Sequence, residues 1–190
     1  HSDAALDTPA GYDRLYIWNK AGGRVFLAAG QTGIMALHEG AQAWRNIHSY
    51  EATQQGASFD FQNLKLGSTE YLVAANGASQ LIKWDGGEQT RAELFGSAEK
   101  LSAEPVSYLE LYYNRLFSAG DAEHPCRLYW SCAPGDSRTL EDWSSAEESE
   151  NVSGGHVEVG TDSDPITGLF ALSNQLLIFK RDSLYRLLGD

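Results

Sequence analysis

Four carboxylates stand where a glycoside hydrolase could draw its catalytic pair: Glu110, Asp121, Glu141 and Glu158. That chemistry needs two carboxyl groups facing each other across a pocket, one to protonate the leaving oxygen and one to serve as nucleophile or base. Acidic residues recur at many turn-like positions of this chain, and no arginine cluster accompanies them to bind a sialic carboxylate. Asp162 and Asp164, in the run TDSDP, could offer oxygens to calcium. A hard cation takes about six to eight oxygen ligands, so the plainer reading is a polar turn ahead of a strand. The histidines His1, His38, His48, His124 and His156 are scattered without ligand spacing, and GxSxG, P-loop and dinucleotide fingerprints are absent. No catalytic, cofactor-binding or metal residue is assigned, and no cofactor is expected.

Cysteine chemistry is equally sparse. Cys126 and Cys132 are the two cysteines, with no CxxC or zinc spacing around them. On one extended strand, at about 3.3 Å per residue, they would lie about 20 Å apart, beyond disulfide reach. They read as free, buried thiols, which fits assembly in a reducing cytosol. Trp18, Trp130 and Trp143 are the side chains that could stack on sugars, although aromatic residues in repeats of this kind usually pack in the core.

The elements that must position these groups are short strands. Between Asp164 and Leu188 three apolar, β-rich runs are joined by the two-residue gaps Ser173-Asn174 and Arg181-Asp182, the spacing of an antiparallel meander. Three more copies lie upstream. The residues that open each second strand, Phe26, Leu72, Leu116 and Leu176, are separated by 46, 44 and 60 positions. Four strands per unit at a period of roughly 40 to 50 residues is the signature of a β-propeller blade. The fold class expected is therefore all-β, with about four propeller-like blades in one domain over 12–190 and a polar lead at 1–11. The units fall at about 12–50, 58–95, 106–160 and 164–190, and 96–105 reads as a linker. The four anchor residues are expected to be buried between units.

Two features depart from a regular ring. The 60-residue spacing comes from an acidic, serine-rich insertion at 134–155, which is expected to be a contact surface or the most mobile part of the chain, pinned to its blade by Trp143. The fourth unit stops after three strands, and 1–11 shows no strand pattern that could complete it. The expectation is an open arc of blades, or a piece of a longer chain; the start at His1-Ser2, without a methionine, suggests the latter.

Composition excludes some functions. The formal net charge is −12 with 14 Lys and Arg and no basic run, whereas nucleic acid is held by clustered cations. No sequence-specific nucleic-acid contact is expected. No apolar run approaches the ~18 residues of a membrane-crossing helix, so no membrane partner is expected either.

The motifs of the second half form an ordered set: Asn114 to Phe117 (NRLF), the strand Leu128 to Ser131, Asp142-Trp143, Val157 to Val159, DPITGL from Asp164 to Leu169, and the close from Leu176 to Tyr185. In order and spacing this set resembles the β-propeller virion proteins of tailed phages and prophages, at the tail or the head-to-tail junction. The resemblance covers about the last 80 residues, and KWDGG at Lys83 to Gly87 is the best feature of the first hundred. It implies a non-enzymatic structural protein of the virion, assembled in the bacterial cytoplasm, with other virion proteins and further copies of itself as partners. Ser131 to Trp143 also loosely resembles the Asp-box turn of sialidase propellers, which is structural even there. The alternative function is a carbohydrate-binding propeller module or a glycosidase-like surface protein.

Overall fold

The computed structural model describes residues 11–12, 14–56, 58–96, 105–135, 138–143 and 153–189. The polar lead at 1–10, His1 included, most of the linker and residues 144–152 of the insertion lie outside the described residues. The chain is all-β, and its sheets are arranged as a four-bladed β-propeller. Blade one is β1 (Arg14–Lys20), β2 (Gly23–Gly30), β3 (Gly33–His38) and β4 (Arg45–Ser49). A 3-10 turn, Ala52–Gln54, leads to blade two: β5 (Asp60–Leu66), β6 (Thr69–Ala75), β7 (Ile82–Trp84) and β8 (Glu93–Leu94). Blade three holds β9 (Tyr108–Tyr112), β10 (Arg115–Ala119), β11 (Arg127–Trp130) and β12 (Gly155–Glu158). Blade four has three strands among the described residues, β13 (Ile166–Leu172), β14 (Gln175–Lys180) and β15 (Leu184–Leu188).

Every sheet is an antiparallel meander in sequence order; the first two strands of each blade are joined by a tight hairpin turn, while β11 and β12 pair across the long connection that carries the insertion. The β9–β10 turn shows the local chemistry: Tyr113 (φ 45°) and Asn114 (φ 55°) are both left-handed, the backbone of a two-residue hairpin whose twist matches its strands.

Side chains alternate across each strand, so each blade has two faces, and three clusters show how they are used. On the first seam Trp18, Leu27 and Ile34 of blade one meet Phe61, Leu72 and Trp84 of blade two. The opposite face of blade two, with Leu64, Val73 and Leu81, meets Leu109, Leu116 and Tyr129 of blade three. Blade three then turns Tyr112, Phe117 and Leu128 toward Ile166, Leu176 and Ile178 of blade four. Fully burying such a side chain stabilises by about 1.5–3 kcal/mol, so these seams supply most of the cohesion between sheets.

The anchor residues sort accordingly. Leu72, Leu116 and Leu176 are buried, and each points at the blade before its own. Phe26 corrects the expectation, since it is only partly buried. It lies opposite Ile17 and Leu37, on the face of blade one that has no preceding blade.

Polar groups staple the innermost strands. Arg14 Nε donates to the Phe59 carbonyl across the first seam at 3.2 Å. Asp60 Oδ2 accepts the Leu109 amide across the second at 2.8 Å, and the Glu110 carboxylate accepts the Ala171 amide across the third.

Candidate functional site

A cleft of about 660 Å³ lies between blades three and four. Its floor is the apolar seam, with Phe117, Leu128 and Ile178, and its rim carries Arg115, Trp130, Glu158 and Tyr185. It opens here because β15 is the outermost strand of its blade while β12 continues the blade opposite. Two glycines shape it. A Cβ on Gly155 would sit 2.7 Å from the Trp130 ring, and one on Gly160 (φ 74°) would sit 2.8 Å from Lys180 Nζ and 2.9 Å from the Tyr185 hydroxyl.

The charges around the cleft are held in place by the fold. Arg115 Nη1 donates to the Ser131 carbonyl at 2.8 Å and to the Ser153 carbonyl at 2.7 Å, so it ties the end of the insertion to its blade. Burial draws its pKa below the ordinary arginine value. Glu158 accepts from Arg127 Nε at 2.6 Å. Beneath the rim lies Lys180, 6 % exposed, whose ammonium donates to the carbonyl of Val159, to that of Thr161 at 3.3 Å and to Cys126 Sγ at 3.4 Å. Its charge also sits 5.6 Å from the centre of the Tyr185 ring. A buried ammonium is tolerable only with such partners.

The other carboxylates singled out in the sequence are dispersed and bonded. Asp121 is buried and accepts the Tyr129 hydroxyl at 2.6 Å; burial, with that contact adding, raises the tyrosine pKa. Glu141 binds Lys83 Nζ at 2.7 Å and the Gly96 amide at 3.0 Å. Glu110 is the seam staple described above, and burial, with the Asp60 charge adding, raises its pKa. Of the four, Glu158 alone lines the cleft.

Asp164 closes a turn instead of collecting oxygens for a cation. It accepts the Asp182 amide at 2.8 Å and the Ser183 hydroxyl at 2.5 Å, which together hold its carboxyl below the usual aspartate range. Asp162 is exposed, and no group of three or more metal-ligating side chains occurs among the described residues.

The histidines stay apart. His38 Nε2 lies 3.0 Å from the Gly86 carbonyl, His48 packs edge-on against Tyr50, and His156 lies beside Tyr129. His124 is partly buried in the turn before β11. Cys126 and Cys132 are both buried and are not joined to each other by a disulfide.

Of the three tryptophans, Trp18 and Trp143 are core and Trp130 reaches the cleft. Trp143 packs in the seam between blades two and three, so it does pin the insertion to its blade. Tyr185 and Lys180 were not singled out from the sequence. Their signal was register: Tyr185 pairs with Ile178, and Lys180 follows Ile178 by two residues, which puts both on the face turned to blade three.

No protein-family model matches this sequence, and no curated protein shows significant similarity to it.

Proposed function

We propose that the chain is a non-enzymatic structural protein of a phage or prophage virion, a building block of the tail or of the head-to-tail junction that works by presenting rigid blades to its neighbours. The observation that carries this reading is the ordered motif set from Asn114 to Tyr185, which falls on blades three and four in the sequence NRLF hairpin, Leu128 strand, Asp142-Trp143 turn, DPITGL entry and Tyr185 close. The use made of the ionisable groups supports it: Glu110, Asp121, Glu141 and Asp164 are engaged in stapling seams and closing turns. Such bonds suit a scaffold that must hold its shape under load. The expected partners are other virion proteins and further copies of the chain, and the expected location is the assembled particle.

The test is compositional. Particles induced from a lysogen that encodes this chain, banded by density and digested for mass spectrometry, should contain it at a fixed ratio to the major capsid protein. Deleting its gene should yield particles with an incomplete tail or junction. Its absence from intact, infectious particles would reject the proposal.

One observation favours the alternative of carbohydrate binding: Trp130 and Tyr185 both line the 660 Å³ cleft, and aromatic faces bind sugar rings by their apolar side. A glycan array settles that reading. Saturable binding lost in both Trp130→Ala and Tyr185→Ala supports it, and no binding removes it.

A further inference from the structure

The Lys180 ammonium has three N–H donors, and they meet the carbonyls of Val159 and Thr161 and, at 3.4 Å, the sulfur of Cys126. Sulfur is a weak acceptor, so the third contact does little to solvate a buried charge. It does set a primary amine against a thiol, both out of bulk water: Lys180 is 6 % and Cys126 0 % exposed. The thiol donates to the Thr161 carbonyl at 2.7 Å, which leaves the sulfur lone pairs toward the amine. Backbone bonds fix both residues. Cys126 accepts the Val159 amide at 2.9 Å, its neighbour Pro125 accepts the Ile166 amide of blade four at 2.8 Å, and the Lys180 amide donates to the Ser183 carbonyl at 2.9 Å. The pair therefore lies where blade four is tied to blade three, with one partner on each.

We propose that this pair is a redox-controlled covalent link: a peroxide oxidises Cys126 to a sulfenic acid, and Lys180 Nζ attacks its sulfur to form a sulfenamide that locks blade four to blade three. In the first step thiol and hydrogen peroxide give sulfenic acid and water; sulfur loses two electrons and the peroxide gains them. In the second the Nζ–Sγ bond forms as the S–O bond breaks. The ammonium gives up two protons, one leaving with the hydroxyl as water and the other passing to solvent. Sulfenic acids condense in this way with thiols and with backbone nitrogen, and here the nitrogen at hand is Nζ. Held at contact distance, it reacts as an intramolecular partner, ahead of a second peroxide. A dithiol reverses the link: it becomes a disulfide while thiol and amine are restored.

The cleft supplies the route for the oxidant. Val159, Gly160 and Tyr185 line it, and a Cβ on Gly160 would sit 2.8 Å from Lys180 Nζ and 2.9 Å from the Tyr185 hydroxyl. Glycine thus leaves a gap between cleft and ammonium that a side chain would fill. Hydrogen peroxide is small and uncharged, which suits it to that gap. The link is open in a reducing cytosol and closes in oxidising surroundings. It rests on the contacts of the third seam and not on the virion reading, so either can fail without the other.

The experiment treats the reduced, purified chain with hydrogen peroxide and reads its mass. The 20.8 kDa chain should lose about 2 Da, the two hydrogens that the summed steps remove. Trypsin should no longer cut after Lys180, and the digest should contain a species joining the peptides of Cys126 and Lys180. Dithiothreitol should restore both the mass and the cut. A disulfide between Cys126 and Cys132 would change the mass equally, so Cys132→Ser is treated in parallel and should link as the wild type does. The link spans 54 positions of the chain, so the oxidised form should melt roughly 5 °C or more above the reduced one. Lys180→Met should leave a sulfenic acid at Cys126 that dimedone captures; if that variant does not fold, the peptide map of the wild type decides alone. An unchanged mass, a Cys126 that gains oxygen while Lys180 stays cleavable, a disulfide in place of the link, or a linked form that melts no higher would each overturn the proposal.

Discussion

The first and third seams join equivalent blades by different means. Between blades one and two the contact is aromatic: Trp18 and Trp84 pack with ring centroids 6.0 Å apart, Tyr16 stacks on Phe61 at 5.0 Å, and Tyr50 and Phe59 extend the cluster. Between blades three and four the apolar cluster gives way outward to a 660 Å³ cleft, and the edge of that seam is held by a buried lysine among carbonyls and a thiol. A seam sealed by aromatic packing is costly to open anywhere along its length. One sealed on its inner part and bridged by hydrogen bonds farther out leaves room for a ligand or a partner, at the same blade geometry.

The largest effect expected is at the first seam. Trp84 is 2 % exposed, packs against Trp18 and His38, and donates from Nε1 to Thr90 Oγ1 at 3.0 Å. Trp84→Ala removes the packing and the hydrogen bond together and should cost about 3–5 kcal/mol in urea unfolding. A loss under 1 kcal/mol would mean that the seam repacks around smaller side chains, and the contrast drawn above would then fail.

The third seam should respond less, and through polar groups. Lys180→Met keeps much of the volume but strips the donors from the carbonyls of Val159 and Thr161, so a loss of about 1–3 kcal/mol is expected. Amide exchange in β14 should quicken in the same variant while that in β2 stays unchanged. A variant as stable as the wild type would show that the ammonium only offsets its own desolvation, as replaced buried ion pairs often do.

The sequence made the strands and their order readable because the first two strands of every unit are joined by a short turn and every second strand carries an apolar anchor. The four meanders of the structure span 14–49, 60–94, 108–158 and 166–188. The neighbour that a face meets was not readable. Alternation shows that Phe26 and Val25 lie on opposite faces of β2 and leaves open which of them has a blade to pack on, so Phe26 was expected to be buried. For the same reason the alternation of Asp60 with Phe59 and Phe61 marks it as polar without showing that its carboxylate accepts an amide from the next blade. Lys180 merely ends the apolar run QLLIFK in the sequence. Its burial depends on Cys126 and Thr161, 54 and 19 residues away, and such a pocket leaves no local pattern.

The smallest effect expected is a difference in pH dependence, and it sharpens the comparison by testing whether the third seam carries a proton-linked cost at its inner strands. Burial raises the pKa of Glu110, and the neighbouring Asp60 charge adds to the shift, while the amides of Ala171 and Leu111 oppose it. A carboxyl whose folded pKa exceeds its unfolded value favours the folded state only while protonated. That contribution is complete below the ordinary glutamate pKa of about 4.3 and is lost as pH rises through the raised value. Glu110→Gln is uncharged throughout, so it forgoes the loss, and it carries a fixed penalty wherever its Nε2 faces an amide donor. Asp164, Asp85 and Glu39, whose pKa values are lowered, gain stability as pH rises, but they are common to both proteins and cancel in the difference. Thermal melts between about pH 4 and pH 7 should therefore show the gap between variant and wild type moving in favour of the variant as pH rises, whatever its sign at the start. A gap that stays flat, or moves the other way, would mean that the Ala171 amide stabilises the carboxylate fully and that the staple costs nothing to ionise.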